Sequence, residues 1–145
     1  MNLTRSFTLD ELTFSQEAAR SMLSNHPSEA HQANLRALCE RVLQPLRDHL
    51  RQPVVVTSGY RTPTINKRIG GARGSQHTRG EAADIYVPGM STAVLMDKIQ
   101  SLHLPFDQLI DEFGRWVHVS HTEHPRRKVL KARIEAGKTV YHDIT

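Results

Sequence analysis

One carboxylate constrains this chain more than any other residue. Asp84 lies inside the run Ala82-Ala83-Asp84-Ile85-Tyr86-Val87, which is closed by Pro88-Gly89 and reads as a strand. A carboxylate in a half or fully buried strand is costly unless it is paired, hydrogen-bonded or bound to a metal. His118 stands in the same kind of context, in Trp116-Val117-His118-Val119-Ser120. If the two strands are neighbours, Asp84 and His118 meet, and His77 can reach in from the glycine-rich loop seven residues before Asp84. Two histidines and one carboxylate, with a fourth position left to water, match a catalytic zinc set. The same residues admit a second reading, in which Asp84 caps a turn and His118 is a satisfied core histidine.

The rest of the chain frames that strand with helices first and strands later. Thr8-Leu9-Asp10-Glu11 is a capping box that predicts a short helix, and Ser15 offers a second start. Ser28 caps a longer helix in which Leu35, Leu38, Val42, Leu43, Leu46 and Leu50 recur at steps of three and four. Pro45 is expected to kink or split it. Pro53 to Thr57 reads as a buried strand. Thr62-Pro63 opens a helix of about two turns that Gly70-Gly71 stops. Residues 71–80 read as a loop. Ser91 caps a helix with Val94, Leu95, Ile99 and Leu102 pointing inward. Phe106–Ile110 and Trp116–Ser120 read as a hairpin around Gly114-Arg115, and Val140-Tyr141 as a last edge strand. This order predicts an α+β fold: a small, mainly antiparallel sheet flanked by helices, in one domain over residues 1–145.

Composition narrows the classes. A chain of 145 residues with 38% apolar and 23% charged residues can build its own core and is not a fibre or a disordered segment. The lone Cys39 excludes an internal disulfide and a cysteine-based zinc knuckle. The longest apolar run, Ala93 to Met96, falls far short of the roughly 20 residues of a membrane span. Met1 to Arg5 leads into no apolar stretch, so the chain is expected to be made in the cytoplasm without a secretory signal. The formal charge of +4 favours anionic partners.

Three motifs then carry a resemblance. Ser75-Gln76-His77-Thr78-Arg79-Gly80-Glu81-Ala82-Ala83-Asp84 fits Ser-x-His-x-x-Gly-x-Ala-x-Asp at every fixed position. Ser58-Gly59-Tyr60-Arg61 precedes it, and Trp116-Val117-His118-Val119-Ser120 follows. From about Phe7 to Ser120 the chain resembles the zinc D-alanyl-D-alanine carboxypeptidase family. That family includes cell-wall carboxypeptidases, vancomycin-resistance dipeptidases and phage endolysins that cut L-alanyl-D-glutamate bonds, and it shares its fold with the hedgehog signalling domain. The resemblance implies Zn2+ held by His77, Asp84 and His118. It implies that Arg61 contacts the scissile carbonyl or a substrate carboxylate, and that Ser75 lines the same pocket. The implied substrate is the stem peptide of peptidoglycan, taken by a monomer. Cut as an endopeptidase of the phage endolysin type or as a carboxypeptidase, the bond is left open by the sequence.

The general base is where the chain departs from many relatives. They place an acid three positions before the last histidine; here that position is Arg115. The hedgehog-like branch has an acid six positions before, which is Glu112 here, with Asp111 beside it as second choice. Two readings from other classes compete. One is a zinc-containing cell-wall binding module without turnover, favoured by the missing acid at 115. The other is nucleic-acid binding through Arg126, Arg127, Lys128, Lys131 and Arg133, but no recognition motif accompanies this tail, and none is expected to bind nucleic acid.

Overall fold

The computed structural model describes residues 1–145. Helices α1 (Leu9–Thr13), α2 (Gln16–Arg20), α3 (Glu29–Leu38), α4 (Gln44–Leu50), α5 (Pro63–Arg68) and α6 (Thr92–Ser101) accompany six strands. The strands are β1 (Val55–Ser58), β2 (Ala82–Tyr86), β3 (Gln108–Glu112), β4 (Trp116–Ser120), β5 (Lys128–Glu135) and β6 (Lys138–Asp143). They form one sheet in the order β1-β2-β4-β3-β5-β6. Every pairing is antiparallel except β3 with β5. The α+β class and the mainly antiparallel sheet are as the sequence predicts. No helix is long and apolar enough to cross a membrane.

The caps are where the sequence puts them. Thr8 and Glu11 close the capping box, and Ser15, Ser28, Thr62 and Ser91 each accept a backbone N–H from the first turn of their helices. The helical run adjusts just ahead of Pro45, which lies in the first turn of α4. α3 runs into α4 through a π-helical turn, Cys39–Leu43. A wider turn there accommodates a residue that lacks an N–H and crowds the preceding carbonyl. Leu35, Leu38, Val42, Leu43 and Leu46 therefore stay on one buried face.

Alternation along the strands sorts the sheet into two faces. Ala83, Ile85, Leu109, Val117, Val119 and Val129 join the leucines of α3 and α4 and the α6 residues Leu95, Met96 and Ile99 in one core. Asp84, Ile110, Glu112, Trp116 and His118 alternate with them and occupy the other face. The helices thus cover one face and leave the second for chemistry.

Three expectations need correction. β1 pairs only with β2 and is an edge strand, not a buried one, with Thr57 exposed. Val94 is 44% exposed, and Met96 takes its place in the core because it shares the face of Leu95 and Ile99. The β3 strand starts two residues later than Phe106, which packs in the core ahead of it.

Candidate metal centre

Two neighbouring strands supply the first pair of groups. Asp84 on β2 lies opposite His118 on β4, so both side chains leave the same face of the sheet. His77 arrives from a 3-10 turn, Gln76–Arg79, that Ser75 caps and that ends at left-handed Gly80. Asp84 Oδ1 stands 3.2 Å from His77 Nε2 and 3.2 Å from His118 Nδ1. One donor atom from each residue falls within 4.8 Å of the others.

Each histidine has its orientation set. His77 is buried and its Nδ1 lies 2.7 Å from the carbonyl oxygen of Gly59. A carbonyl only accepts, so Nδ1 carries the proton and Nε2 turns its lone pair towards Asp84. Burial lowers the pKa of His77 despite the pull of Asp84, which keeps the imidazole neutral and able to ligate. His118 is buried too, with Nε2 free of any hydrogen-bond partner. Burial opposes ionisation of Asp84, but the two neighbouring imidazoles, with the hydrogen bond from His118, outweigh it and hold the carboxyl below its usual range.

These dimensions fit a zinc ion. Ligands at the usual zinc distances of about 2.0–2.1 Å lie about 3.3–3.4 Å apart at tetrahedral angles. Both Asp84 contacts, at 3.2 Å, come close to that edge length. The donor set, two imidazole nitrogens and a carboxylate oxygen, also suits zinc.

The local backbone explains the motif glycine. At Gly59 a Cβ would stand 2.2 Å from the carbonyl oxygen of Leu12. The chain passes between α1 and the His77 ring, Tyr60 donates its N–H to Leu12, and Arg61 donates its N–H to the carbonyl of His77. Tyr60 packs in the core, 4% exposed.

Glu112 ends β3 beside this cluster, its Oε1 3.7 Å from His118 Nδ1. Burial raises its pKa, and the negative charge of Asp84 adds to that. Arg61 faces both acids. Burial lowers its pKa while their charges work the other way, and its Nε is buried without a partner. Asp111, the next residue along the strand, alternates to the other face and accepts the N–H of Gly114 through Oδ1. It stabilises the turn, where Phe113 (φ 61°) and Gly114 (φ 66°) are both left-handed.

Arg61, Ser75, His77, Asp84, Glu112 and His118 all line one cavity of about 780 Å³. Every site residue singled out in the sequence thus meets here except Asp111. Arg115 opens instead onto an adjoining cavity of about 470 Å³, which shares Asp84 and Trp116 with the first. Cys39 is buried away from both, and burial pushes its thiol up to about 12. His121 lines a separate hollow with Glu81 and Arg41, while His124 is exposed.

A family model, peptidase M15, matches residues 5–120. The chain belongs to the peptidase M15 family. As an M15 peptidase of the zinc D-Ala-D-Ala carboxypeptidase-like kind, it is a metallopeptidase. The family match supports action on cell-wall peptides in general. No curated protein matches the chain.

Two features of the site went unread in the sequence. Asp107, only 1% exposed, receives the backbone N–H, Nε and NH2 of Arg126 and the Nε2 of Gln76. It ties the His77 turn to the start of β5. An aspartate directly after the apolar Leu104-Pro105-Phe106 was the signal. The second is Tyr141 on β6, which reaches the cavity wall.

Proposed function

We propose that this protein is a zinc-dependent endopeptidase that hydrolyses peptide bonds in peptidoglycan stem peptides, of the kind phage endolysins use. His77, Asp84 and His118 would hold the ion, which when bound would supply a water of pKa about 7 and a Lewis acid for the scissile carbonyl. Glu112 takes a proton from the attacking water and returns it to the leaving amine. Burial raises its pKa, the direction that favours taking up a proton. Arg61 donates to the oxyanion, a contribution of about 3–4 kcal/mol for one well-placed donor. Ser75 lines the substrate pocket beside His77. Along the cavity Arg79 and Arg126 are paired with Glu81 and Asp107, while Arg73 and Arg61 are the cations that suit an anionic peptide.

One observation carries this reading: the His-Asp-His cluster, the Glu112 carboxylate and the Arg61 guanidinium share one cavity. The choice of endopeptidase rests on the cavity's extent. Together with the adjoining cavity it shares Asp84 with, it gives open space from Tyr86 and Thr57 on one side to Thr139 and Tyr141 on the other. Space on both sides of the metal ligands suits a chain that continues in both directions.

The test is mass spectrometry of purified peptidoglycan after incubation with zinc-loaded protein, beside a chelator-treated control. Zinc-dependent fragments cut within the stem support the proposal. Release of terminal D-alanine alone replaces the endopeptidase with a carboxypeptidase. Intact muropeptides with zinc bound at one ion per chain leave a binding module.

A further inference from the structure

The hairpin β5–β6 lies beyond the matched segment, yet it forms part of the cleft. Register places it there. Glu112 pairs with Trp116 on one side and Ala132 on the other, and Ala132 pairs with Tyr141. Trp116, Glu112, Ala132 and Tyr141 therefore form one row across the metal-bearing face. Tyr141 is two strand spacings from Glu112, about 10 Å along the row. The small, fully buried Ala132 stands between them. Tyr141 is 53% exposed although its ring lines the cavity. More than half of the residue is thus open to the cleft and to solvent, where a ligand can reach it. Burial, with the charges of Glu112 and Asp84 behind it, raises the phenol's pKa and keeps its hydroxyl a donor.

The two walls of the cleft differ in character. The loop wall carries Arg73 and Arg79, whereas the hairpin wall presents Leu130, Thr139 and Tyr141, without a charge. A ring with a hydroxyl at its tip suits the planar, uncharged amide groups of a peptide chain.

We infer that Tyr141 is a substrate-binding residue, gripping the peptide backbone on the hairpin side of the metal ligands. This rests on the stem-peptide reading of the site. It also gives the terminal hairpin a direct part in choosing substrate.

The chain's one tryptophan, Trp116, stands in the same row and serves as the probe. Stem tetrapeptide is titrated into the zinc-loaded Glu112→Gln variant while tryptophan fluorescence is followed, so that binding is read without turnover. Adding Tyr141→Ala is expected to weaken Kd at least tenfold and Tyr141→Phe to fall between. His142→Ala, on the opposite face of the same strand, is expected to leave Kd unchanged. Zinc stoichiometry stays constant throughout. Equal Kd for Tyr141→Ala and its parent overturns the role of Tyr141 and leaves the stem-peptide reading standing. A His142→Ala effect as large as that of Tyr141→Ala overturns it too, since the strand and not the ring would then matter. A parent that does not bind the tetrapeptide overturns the stem-peptide reading, and the inference with it.

Discussion

His77 donates from Nδ1 to the carbonyl oxygen of Gly59 at 2.7 Å, and this contact joins two of the three sequence motifs. Gly59 can approach that closely because it has no side chain to strike Leu12. Gly59→Ala is expected to push the strand off α1 and to turn the His77 ring. A loss of about 10–100-fold in zinc affinity follows from losing such a supporting hydrogen bond. Zinc titration beside a thermal melt checks this. A folded Gly59→Ala protein with undiminished zinc affinity would show that the carbonyl does not set the ring.

Glu112→Gln removes a proton acceptor and leaves the shape nearly intact. Turnover is expected to fall about 10²–10⁴-fold, the usual worth of a general base. Zinc content should stay at one ion per chain. Near-normal turnover would transfer the role to another group and end the case for Glu112.

Metal binding should also register as stability, because an unfolded chain has no assembled site. At a free zinc concentration a hundred times Kd the gain is about 2.7 kcal/mol. Differential scanning fluorimetry should show the melting temperature rising by several degrees with zinc and falling back with chelator. Asp84→Asn is expected to flatten that response. A zinc-dependent rise of equal size in Asp84→Asn would exclude Asp84 as a ligand.

Asp107 gives stability an acid-side dependence. Hydrogen bonds from Arg126 hold its carboxyl down to about 2 although burial works against them. The unfolded chain, with its aspartates near 3.9, binds the proton first as pH falls. Asp107 therefore stabilises the fold fully above about pH 4, and that contribution drains away as pH falls towards about 2. Urea midpoints from pH 5 to pH 2 should drop more steeply for the wild type than for Asp107→Asn. At neutral pH the variant should be less stable by about 1.5–3 kcal/mol, the worth of hydrogen bonds to a charged group. Parallel curves for the two proteins would refute this account.

The helix caps and the leucine face were legible because both are local: a hydroxyl three residues before an N–H, or a repeat of three and four. The metal cluster was legible for a different reason. Asp84 and His118 stand out against apolar strands, and their chemistry demands company. What stayed hidden depended on partners distant in sequence. β5 reads as a basic tail when its charge is taken first, although Leu130-Lys131-Ala132-Arg133-Ile134 alternates as a strand does and Ala136-Gly137 supplies the turn. Its pairing with β3 is parallel, which no local turn announces. Asp111 and Glu112, adjacent in sequence, were separable only once the strand extended through both and sent them to opposite faces. The π-helical turn before Pro45 was hidden because proline signals that a helix must adjust, not how.

The parallel pairing of β3 with β5 makes the strand that carries Glu112 an interior one. A chain cut after Ser120, close to the boundary of the family match, would keep all three metal ligands, Glu112 and Arg61. It would also leave β3 at the rim of the sheet, its outward N–H and C=O groups bare and ready to recruit a strand from another molecule. The β5–β6 hairpin therefore covers the strand that carries Glu112 and moves the rim of the sheet out to β6, a task separate from anything it does for the substrate.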